Sequence, residues 1–255
     1  MTSLSARNLT VSIGGKTVCR DLNIELQTGQ CWGLLGINGV GKTTLLHTLA
    51  GLRPPAAGQV LLDEQDIKAL PRKHIAQHIG LLQQEDHDAF PATVLETVLL
   101  GRHPHLGRWQ WETTDDHTRA TQALAHVGLT GFEQRQVDTL SGGERRRLGL
   151  STLLTQDPQW FLLDEPTNHL DPHFQLTLLD LLVQRVRNEE RGLFMILHDV
   201  NLAVRFCDHV MLLFGEGEAC CGPVGEVLDA AALGRLYGHP MVGVEGPNGV
   251  VYLPR

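Results

Sequence analysis

A glycine-rich segment constrains the fold of this chain more than any other feature. It reads Gly36-Ile37-Asn38-Gly39-Val40-Gly41-Lys42-Thr43 and meets the pattern G-x-x-x-x-G-K-[ST]. The apolar run before it, Cys31 to Leu35, predicts a buried strand, and Lys42 to Ala50 predicts a helix. Between a strand and a helix, this pattern is typical of a loop whose backbone N–H groups surround phosphate oxygens. The chain is therefore predicted to bind a nucleotide on an α/β core.

The residues of this loop have distinct expected tasks. Glycines let the backbone wrap closely around phosphate, Lys42 would reach the β- and γ-phosphates, and the Thr43 hydroxyl would hold Mg²⁺. The expected contacts with the nucleotide are Gly36, Ile37, Asn38, Gly39, Val40, Gly41, Lys42, Thr43 and Thr44. A chance glycine turn is the alternative explanation, and the flanking strand and helix argue against it.

A second apolar strand, Trp160 to Leu163, is followed by two adjacent carboxylates. Asp164 can bind Mg²⁺ directly or through water, and Glu165 can orient and deprotonate an attacking water molecule. An acidic pair after a strand is often an ordinary strand end. Downstream of a phosphate-binding loop, the pair instead predicts an enzyme that hydrolyses a nucleotide with the help of Mg²⁺.

The composition fits a folded protein of moderate size. Of 255 residues, 42% are apolar, and 21 Lys+Arg against 29 Asp+Glu leave a net charge of −8. An acidic chain binds nucleic-acid backbones only through a local basic patch, so nucleic acid is not expected as a partner. The longest apolar runs, such as Leu193 to Leu197, are far shorter than a membrane-spanning helix requires.

Two further observations concern location. The segment Met1 to Leu9 lacks the apolar stretch of a signal peptide, which predicts a chain that stays in the cytosol. The five cysteines are an odd number without a C-x-x-C spacing, so they are expected to be reduced.

Short apolar strands alternate with longer helical patterns, which predicts a doubly wound, mostly parallel sheet. Leu193 to Leu197 is the third such strand, and apolar residues within 175–187 repeat at helical spacing. From residue 85 the sequence pattern changes to predicted helices and loops with few β-branched runs, which predicts an inserted helical subdomain. The predicted division is a core of residues 1–84 and 156–221, an insert 85–155 with a helix over Thr113 to Val127, and an appendage 222–255 with a helix over Val224 to Tyr237.

The segment Leu140-Ser141-Gly142-Gly143-Glu144 supports two interpretations. Ser-x-x-Glu is a capping box, in which each side chain satisfies an N–H group at a helix start. A Ser-capped, glycine-flanked helix N-terminus is also a phosphate site, and two adjacent glycines expose more backbone than capping needs. Both interpretations can hold together.

The order of these segments resembles the ATP-binding cassette (ABC) family over nearly the whole chain. Five segments follow one another in the order that is typical of that family. They are the phosphate-binding loop, LSGGE, the Asp164-Glu165 strand end, Asn168-His169-Leu170-Asp171 and Leu197-His198-Asp199. The resemblance implies a P-loop NTPase (RecA-like) cassette with an inserted α-helical subdomain. It implies that Ser141, Gly142, Gly143 and Glu144 form the signature, which faces the ATP bound by a second copy. Asp171 would be the D-loop aspartate, and His198 the switch histidine that contacts the γ-phosphate.

The family's Q-loop glutamine should follow the predicted strand Ile79 to Leu82, which leaves Gln83 and Gln84 as candidates. We prefer Gln84, because family strands tend to place one residue between the apolar pair and the glutamine. By resemblance this glutamine would touch Mg²⁺, as would Thr43 and Asp164, and report the nucleotide state to the helical subdomain. The expected catalytic residues are Glu165, His198 and Gln84.

Two residues depart from the family's pattern. The family usually places an aromatic residue before the Gly14-Gly15 turn to stack on adenine, but this chain has Ile13. Because an aromatic contact contributes roughly 0.5–1.5 kcal/mol beyond its buried area, weakened discrimination between bases is expected. The second departure is Glu144, where the family more often has glutamine, and it still completes the capping box.

The stretch from Thr93 to His105 resembles the G-R-x-P-H region of cassettes that serve metal-chelate importers, which handle iron siderophores, haem and vitamin B12. The resemblance implies a peripheral ATPase on the cytoplasmic face of the inner (cell) membrane. Its implied partners are a second copy, transmembrane permease subunits and, indirectly, a substrate-binding protein. The histidine pairs His103/His105 and His74/His78 are expected to lie in a surface loop and on a solvated helix, not to bind metal.

Other function classes share parts of this pattern. An ABC ATPase that acts on nucleic acid or ribosomes would carry long coiled coils or two cassettes, whereas this sequence has one cassette and no heptads. A P-loop GTPase would carry N-K-x-D, which does not occur in the sequence. A purely regulatory nucleotide-binding module would not need Glu165 and His198. The basic run Arg145-Arg146-Arg147 is expected to be mostly a solvated face.

Overall fold

A computed structural model describes residues 3–84, 91–246 and 249–255. The strands are β1 (Ser3–Ile13), β2 (Lys16–Gln27), β3 (Cys31–Gly36), β4 (Ala57–Leu62), β5 (Gln65–Asp66), β6 (Ile79–Leu82), β7 (Trp160–Leu163), β8 (Gly192–Ile196), β9 (His209–Gly215), β10 (Glu218–Pro223), β11 (Met241–Gly246) and β12 (Gly249–Pro254). The helices are α1 (Lys42–Leu49), α2 (Arg72–His78), α3 (Val94–Leu99), α4 (Thr114–His126), α5 (Gly142–Gln156), α6 (Pro172–Asn188), α7 (Val200–Phe206), α8 (Val224–Val227) and α9 (Ala230–Tyr237).

A six-stranded sheet, in the order β10-β9-β3-β8-β7-β6, forms the centre of the fold. Its strands β9, β3, β8, β7 and β6 run parallel, and β10 pairs antiparallel at the edge. Every residue of β3, β7 and β8 is buried, as expected for continuous apolar strands covered on both faces. Parallel strands end at the same edge, so the segments that follow β3, β6, β7 and β8 lie side by side.

The second sheet, in the order β2-β1-β4-β5, is antiparallel, and the sequence interpretation did not foresee it. Exposed and buried residues largely alternate along its long strand β2, which is typical of a sheet with one solvated face. Helix α1 packs between the sheets, where Leu45 and Leu46 join one core with Leu4 and Phe194. The predicted mostly parallel arrangement therefore applies to the central sheet alone.

Helices and loops fill the described residues from 91 to 159. Helices α3, α4 and α5 each begin with a complete capping box: Thr93 with Glu96, Thr113 with Asp116, and Ser141 with Glu144. The predicted helix over Thr113 to Val127 is α4. The predicted boundary at residue 85 lies outside the described residues, and the division into core, insert and appendage stays a prediction.

The C-terminal segment differs from the single predicted helix over Val224 to Tyr237. It contains two helices, because the backbone is extended at Leu228 and Asp229 caps α9 by accepting the N–H of Ala232 at 2.6 Å. The β11–β12 ribbon, which was not predicted, is fixed to α7 where the amide of Tyr252 donates to Asn201 at 2.8 Å. Among the residues described, no helix combines the length and apolar character needed to cross a membrane.

Candidate active site

The glycine-rich loop connects β3 to α1 as its sequence predicts. Gly39 and Gly41 have φ values of 77° and 108°, in the left-handed region that favours glycine. A Cβ at Gly41 would also overlap the side chain of Val18. No side chain caps α1, so its first N–H groups remain aimed into the loop. The loop therefore presents backbone donors at a helix N-terminus, the arrangement that suits phosphate.

Lys42 is buried within this loop. Its Nζ donates to the carbonyl of Gly36 at 2.8 Å and to that of Ile37 at 3.2 Å. Burial lowers the pKa of Lys42, and the nearby carboxylates of Glu165 and Asp164 oppose that shift. The ammonium group thus lies within the phosphate-binding loop and interacts electrostatically with the acidic pair.

Asp164 follows β7 and is fully buried. Within the described residues, neither of its carboxylate oxygens has a well-placed hydrogen-bond donor. Burial raises the pKa of Asp164, and the Thr43 hydroxyl is the main group that opposes the shift. A buried carboxylate beside a hydroxyl supplies the hard oxygen ligands that Mg²⁺ prefers, so these two residues fit that ion.

Glu165 brings together the predicted catalytic residues. Its Oε1 lies 2.5 Å from Nε2 of His198, and its Oε2 accepts the Nε2–H of Gln84 at 3.1 Å. Gln84, and not Gln83, therefore has its side chain at this carboxylate. Glu165 has a φ of 50°, a left-handed conformation that a non-glycine residue adopts only when its surroundings hold it there.

Asn168 is a contact of Glu165 that the sequence does not predict, because the motif ending at Asp171 gives Asn168 no role of its own. Its Nδ2 donates to Glu165 Oε2. Its backbone N–H also donates to the Glu165 carbonyl at 3.2 Å and closes a turn. The spacing of three residues after a strand end, with proline between, is the signal that could have indicated this turn.

The segment Ser141 to Glu144 starts helix α5, which we call the signature helix. The Ser141 N–H donates to Glu144 Oε2 at 2.7 Å, and the capping box is confirmed. Ser141 and Gly142 are exposed, and a Cβ on Gly143 would lie 3.2 Å from the carbonyl of His169. The signature thus lies beside the segment that leads to Asp171, which caps α6.

The expectation of a mostly solvated basic face is wrong for Arg146 and holds only in part for Arg145 and Arg147, which are half-buried. Arg145 donates to the carbonyls of Leu140 at 3.2 Å and Asp138 at 3.0 Å. Arg146 is buried, and the Arg147 guanidinium lies 5.0 Å from the centre of the Phe174 ring. Backbone carbonyls accept hydrogen bonds from Arg145, and an aromatic ring packs against Arg147. Helical periodicity in the sequence does not reveal such contacts.

The histidine pairs have local contacts. His105 is not a purely solvated loop residue, because its Nε2 lies 2.8 Å from the carbonyl of Gln156. The rings of His74 and His78 are in contact, with centres 4.3 Å apart and planes tilted by 36°, and both residues are half-buried.

Comparisons with known proteins agree with this geometry. Residues 19–168 match the ABC transporter family. The petrobactin import ATP-binding protein FpuD of Bacillus anthracis is 38% identical over 89% of this chain and 83% of its own length. The ferric enterobactin transport ATP-binding protein FepC of Escherichia coli K12 is 37% identical, over 96% and 90%. The hemin import ATP-binding protein HmuV of E. coli O157:H7 is 34% identical, over 96% and 95%.

The fold has a counterpart among solved structures. A metal-chelate type ABC transporter in an inward-facing conformation superposes with a TM-score of 0.86 at 27% identity, over 100% of this chain and 98% of the matched chain. The sequence similarity to these relatives and the structural similarity to this transporter each extend over most of this chain. The chain therefore belongs to the ABC transporter family and is one of that family's ATP-hydrolysing subunits.

Proposed function

We propose that this chain powers an importer that takes up a metal chelate, namely an iron siderophore, haem or cobalamin, through a separate permease. The assignment of ATP hydrolysis rests on one observation: the side chains of Gln84 and His198 both contact the Glu165 carboxylate beside the phosphate-binding loop. The relatives named for petrobactin, ferric enterobactin and hemin support the substrate class. The resemblance of the stretch from Thr93 to His105 to metal-chelate importers agrees with this class.

In this proposal, the loop from Gly36 to Thr44 holds the phosphates of ATP. Backbone N–H groups and Lys42 bind the phosphate oxygens, and the α1 N-terminus adds its positive end. Thr43 and Asp164 would hold Mg²⁺, with the amide oxygen of Gln84 as a further candidate ligand. The ion would neutralise charge on the phosphates.

Hydrolysis is assigned to Glu165. Its carboxylate orients a water molecule and accepts a proton from it, while His198 contacts the γ-phosphate. The hydrogen bonds from Gln84 and Asn168 hold the carboxylate in one direction. A carboxylate fixed in this way loses little entropy when the reaction begins.

The signature is assigned the role of binding the nucleotide that a second copy holds. Ser141 and Gly142 are exposed at the N-terminus of α5, where N–H groups can approach phosphate across an interface. Two copies would sandwich two ATP molecules, each between one P-loop and the other chain's signature. ATP binds the closed pair better than the open pair, so binding and hydrolysis shift that equilibrium and drive a permease bound to the helical region. The pair would lie at the cytoplasmic face of the inner membrane, and a substrate-binding protein would deliver the chelate to the permease.

Base selectivity is expected to be weak. Ile13 ends β1, is 41% exposed, and offers an aliphatic surface where the family usually has an aromatic ring. The loss of stacking, roughly 0.5–1.5 kcal/mol, is small compared with the phosphate contacts, which ATP and GTP share. Steady-state hydrolysis of ATP and GTP should give kcat/KM values within about tenfold of each other. A strong preference for ATP would contradict this prediction, and Ile13→Tyr should increase the preference.

Uptake measurements test the substrate class. The full-length chain is used to capture its permease from detergent-solubilised membranes, and cells that lack the chain are grown with a ferric siderophore, haem or cobalamin as the limiting source. We expect growth on one of these sources to require the chain, and Glu165→Gln to abolish that growth. Normal growth of the deletion strain on all three sources would contradict the proposed substrate class without affecting the ATPase assignment.

A further inference from the structure

Arg146 bridges the signature helix and the ends of two central strands. It lies in the second turn of α5 and is only 6% exposed. Its Nη1 donates to the carbonyl of Gln83, and its Nη2 donates to the carbonyl of Asp164. Those carbonyls come directly after β6 and β7, which pair in parallel. One side chain of α5 therefore binds both strand ends.

The residues that follow these two carbonyls carry the chemistry. Gln84 comes after Gln83, Glu165 comes after Asp164, and the two side chains meet at 3.1 Å. The direction of each side chain depends on the peptide group before it. Glu165 also has a left-handed backbone, which persists only where neighbouring contacts hold it. Holding the Asp164 carbonyl in place thus fixes the direction of the Glu165 carboxylate.

The chemistry of arginine suits this place. A planar guanidinium presents several donors at fixed angles, so it can bind two acceptors at once. Hydrogen bonds from a charged donor are stronger in a buried site than in water. The carboxylate of Asp164, which interacts electrostatically with Arg146, offsets part of the cost of burying the cation. The neighbouring arginines have other contacts: Arg145 donates to the carbonyl of Leu140, and Arg147 lies over the Phe174 ring.

We propose that Arg146 is a positioning residue that links the signature helix to Gln84 and Glu165 of the same chain. This inference rests on the proposed function, in which the signature faces the ATP of the second copy. A movement of α5 toward the partner's ATP is then transmitted through Arg146 to the chain's own Glu165. The two ATP sites of the pair are thereby coupled, and ATP at one site accelerates hydrolysis at the other.

The test compares two buried arginines in the full-length chain. Arg146→Met keeps most of the side-chain volume but removes both donors. Arg102→Met is the matched control, because Arg102 is also largely buried and pairs with Asp116 at 2.7 Å. Arg102 also donates to the Thr155 carbonyl of α5 at 3.2 Å, so this variant loosens the same helix without removing a contact with the strand ends. Both variants should lower Tm. Arg146→Met should lower kcat by about 10- to 100-fold, leave the KM for ATP within about twofold, and lower the Hill coefficient for ATP toward one.

Arg102→Met should retain kcat and the Hill coefficient despite its lower Tm. Arg146→Lys should recover part of kcat, because it keeps a charged donor in the same place. The inference is overturned if Arg146→Met hydrolyses ATP like the parent chain, or if Arg102→Met reproduces its loss of kcat and cooperativity. A parent chain that hydrolyses no ATP would instead refute the proposed function, and this inference with it.

Discussion

Replacing Glu165 by glutamine is expected to lower kcat for ATP hydrolysis by about 10²- to 10⁴-fold while ATP binding persists. Glutamine keeps the shape and can still contact Gln84, Asn168 and His198, but it accepts no proton from water. The affinity for ATP should change little, because Glu165 is assigned to the attacking water and the phosphates are held by the loop. Single-turnover hydrolysis and retention of labelled ATP on gel filtration measure the two effects separately.

A matched control for this substitution is Glu226→Gln, the same chemical change at an exposed position of α8. Its kcat should stay within about twofold of the parent value. Near-parental hydrolysis by Glu165→Gln would show that another group activates the water. Loss of ATP binding by Glu165→Gln would show that the carboxylate supports the fold of the site rather than the reaction.

The substitution Lys42→Ala should weaken ATP binding by roughly 100-fold or more. Hydrogen bonds to charged groups contribute about 1.5–3 kcal/mol each, and each 1.4 kcal/mol is a factor of ten in Kd. Lys42 donates to two loop carbonyls, so its ammonium is already within the loop where phosphate would bind. Titration calorimetry with ATP in the presence of Mg²⁺ measures the loss.

Lys68→Ala is the control for this measurement, because Lys68 is exposed and lies in the turn after β5. It removes one positive charge from the chain and should leave Kd unchanged. If Lys42→Ala bound ATP as tightly as the parent chain, the loop would not be the phosphate site.

The central sheet and the place of the glycine-rich loop could be predicted because they depend on local patterns. Continuous apolar runs define β6 and β7 at the bounds that the structure has. A glycine loop between a strand and a helix specifies its own conformation. Parallel strands bring their carboxyl ends together, so the meeting of Gln84, Glu165 and His198 follows from topology once the strands are placed.

The remaining features depend on contacts between distant segments. The antiparallel sheet was not predicted, since β1 and β2 mix polar and apolar residues and gain their order by pairing with each other. Arg146 was expected to be solvated, since nothing near it in sequence reveals the carbonyls of Gln83 and Asp164. The single helix predicted after Val224 is divided at Leu228, where the Asp229 cap begins a new helix.

Mixing two inactive variants tests the central claim, which is that each active site combines the loop of one chain with the signature of another. Lys42→Ala removes the loop cation, and Ser141→Arg places a bulky cation at the exposed signature. In a two-fold symmetric pair, a mixed dimer would keep one intact site, formed by the Ser141→Arg chain's loop and the Lys42→Ala chain's signature.

The measurement is the ATPase rate of each variant alone and of an equimolar mixture. Random pairing makes about half of the dimers mixed, and in each mixed dimer one of the two sites is intact. The mixture should therefore recover roughly a quarter of the parent rate when the sites act independently. Coupling through Arg146 would lower that fraction without abolishing it. A mixture no more active than its two components would contradict shared sites, and so would a Ser141→Arg chain that hydrolyses ATP at the parent rate.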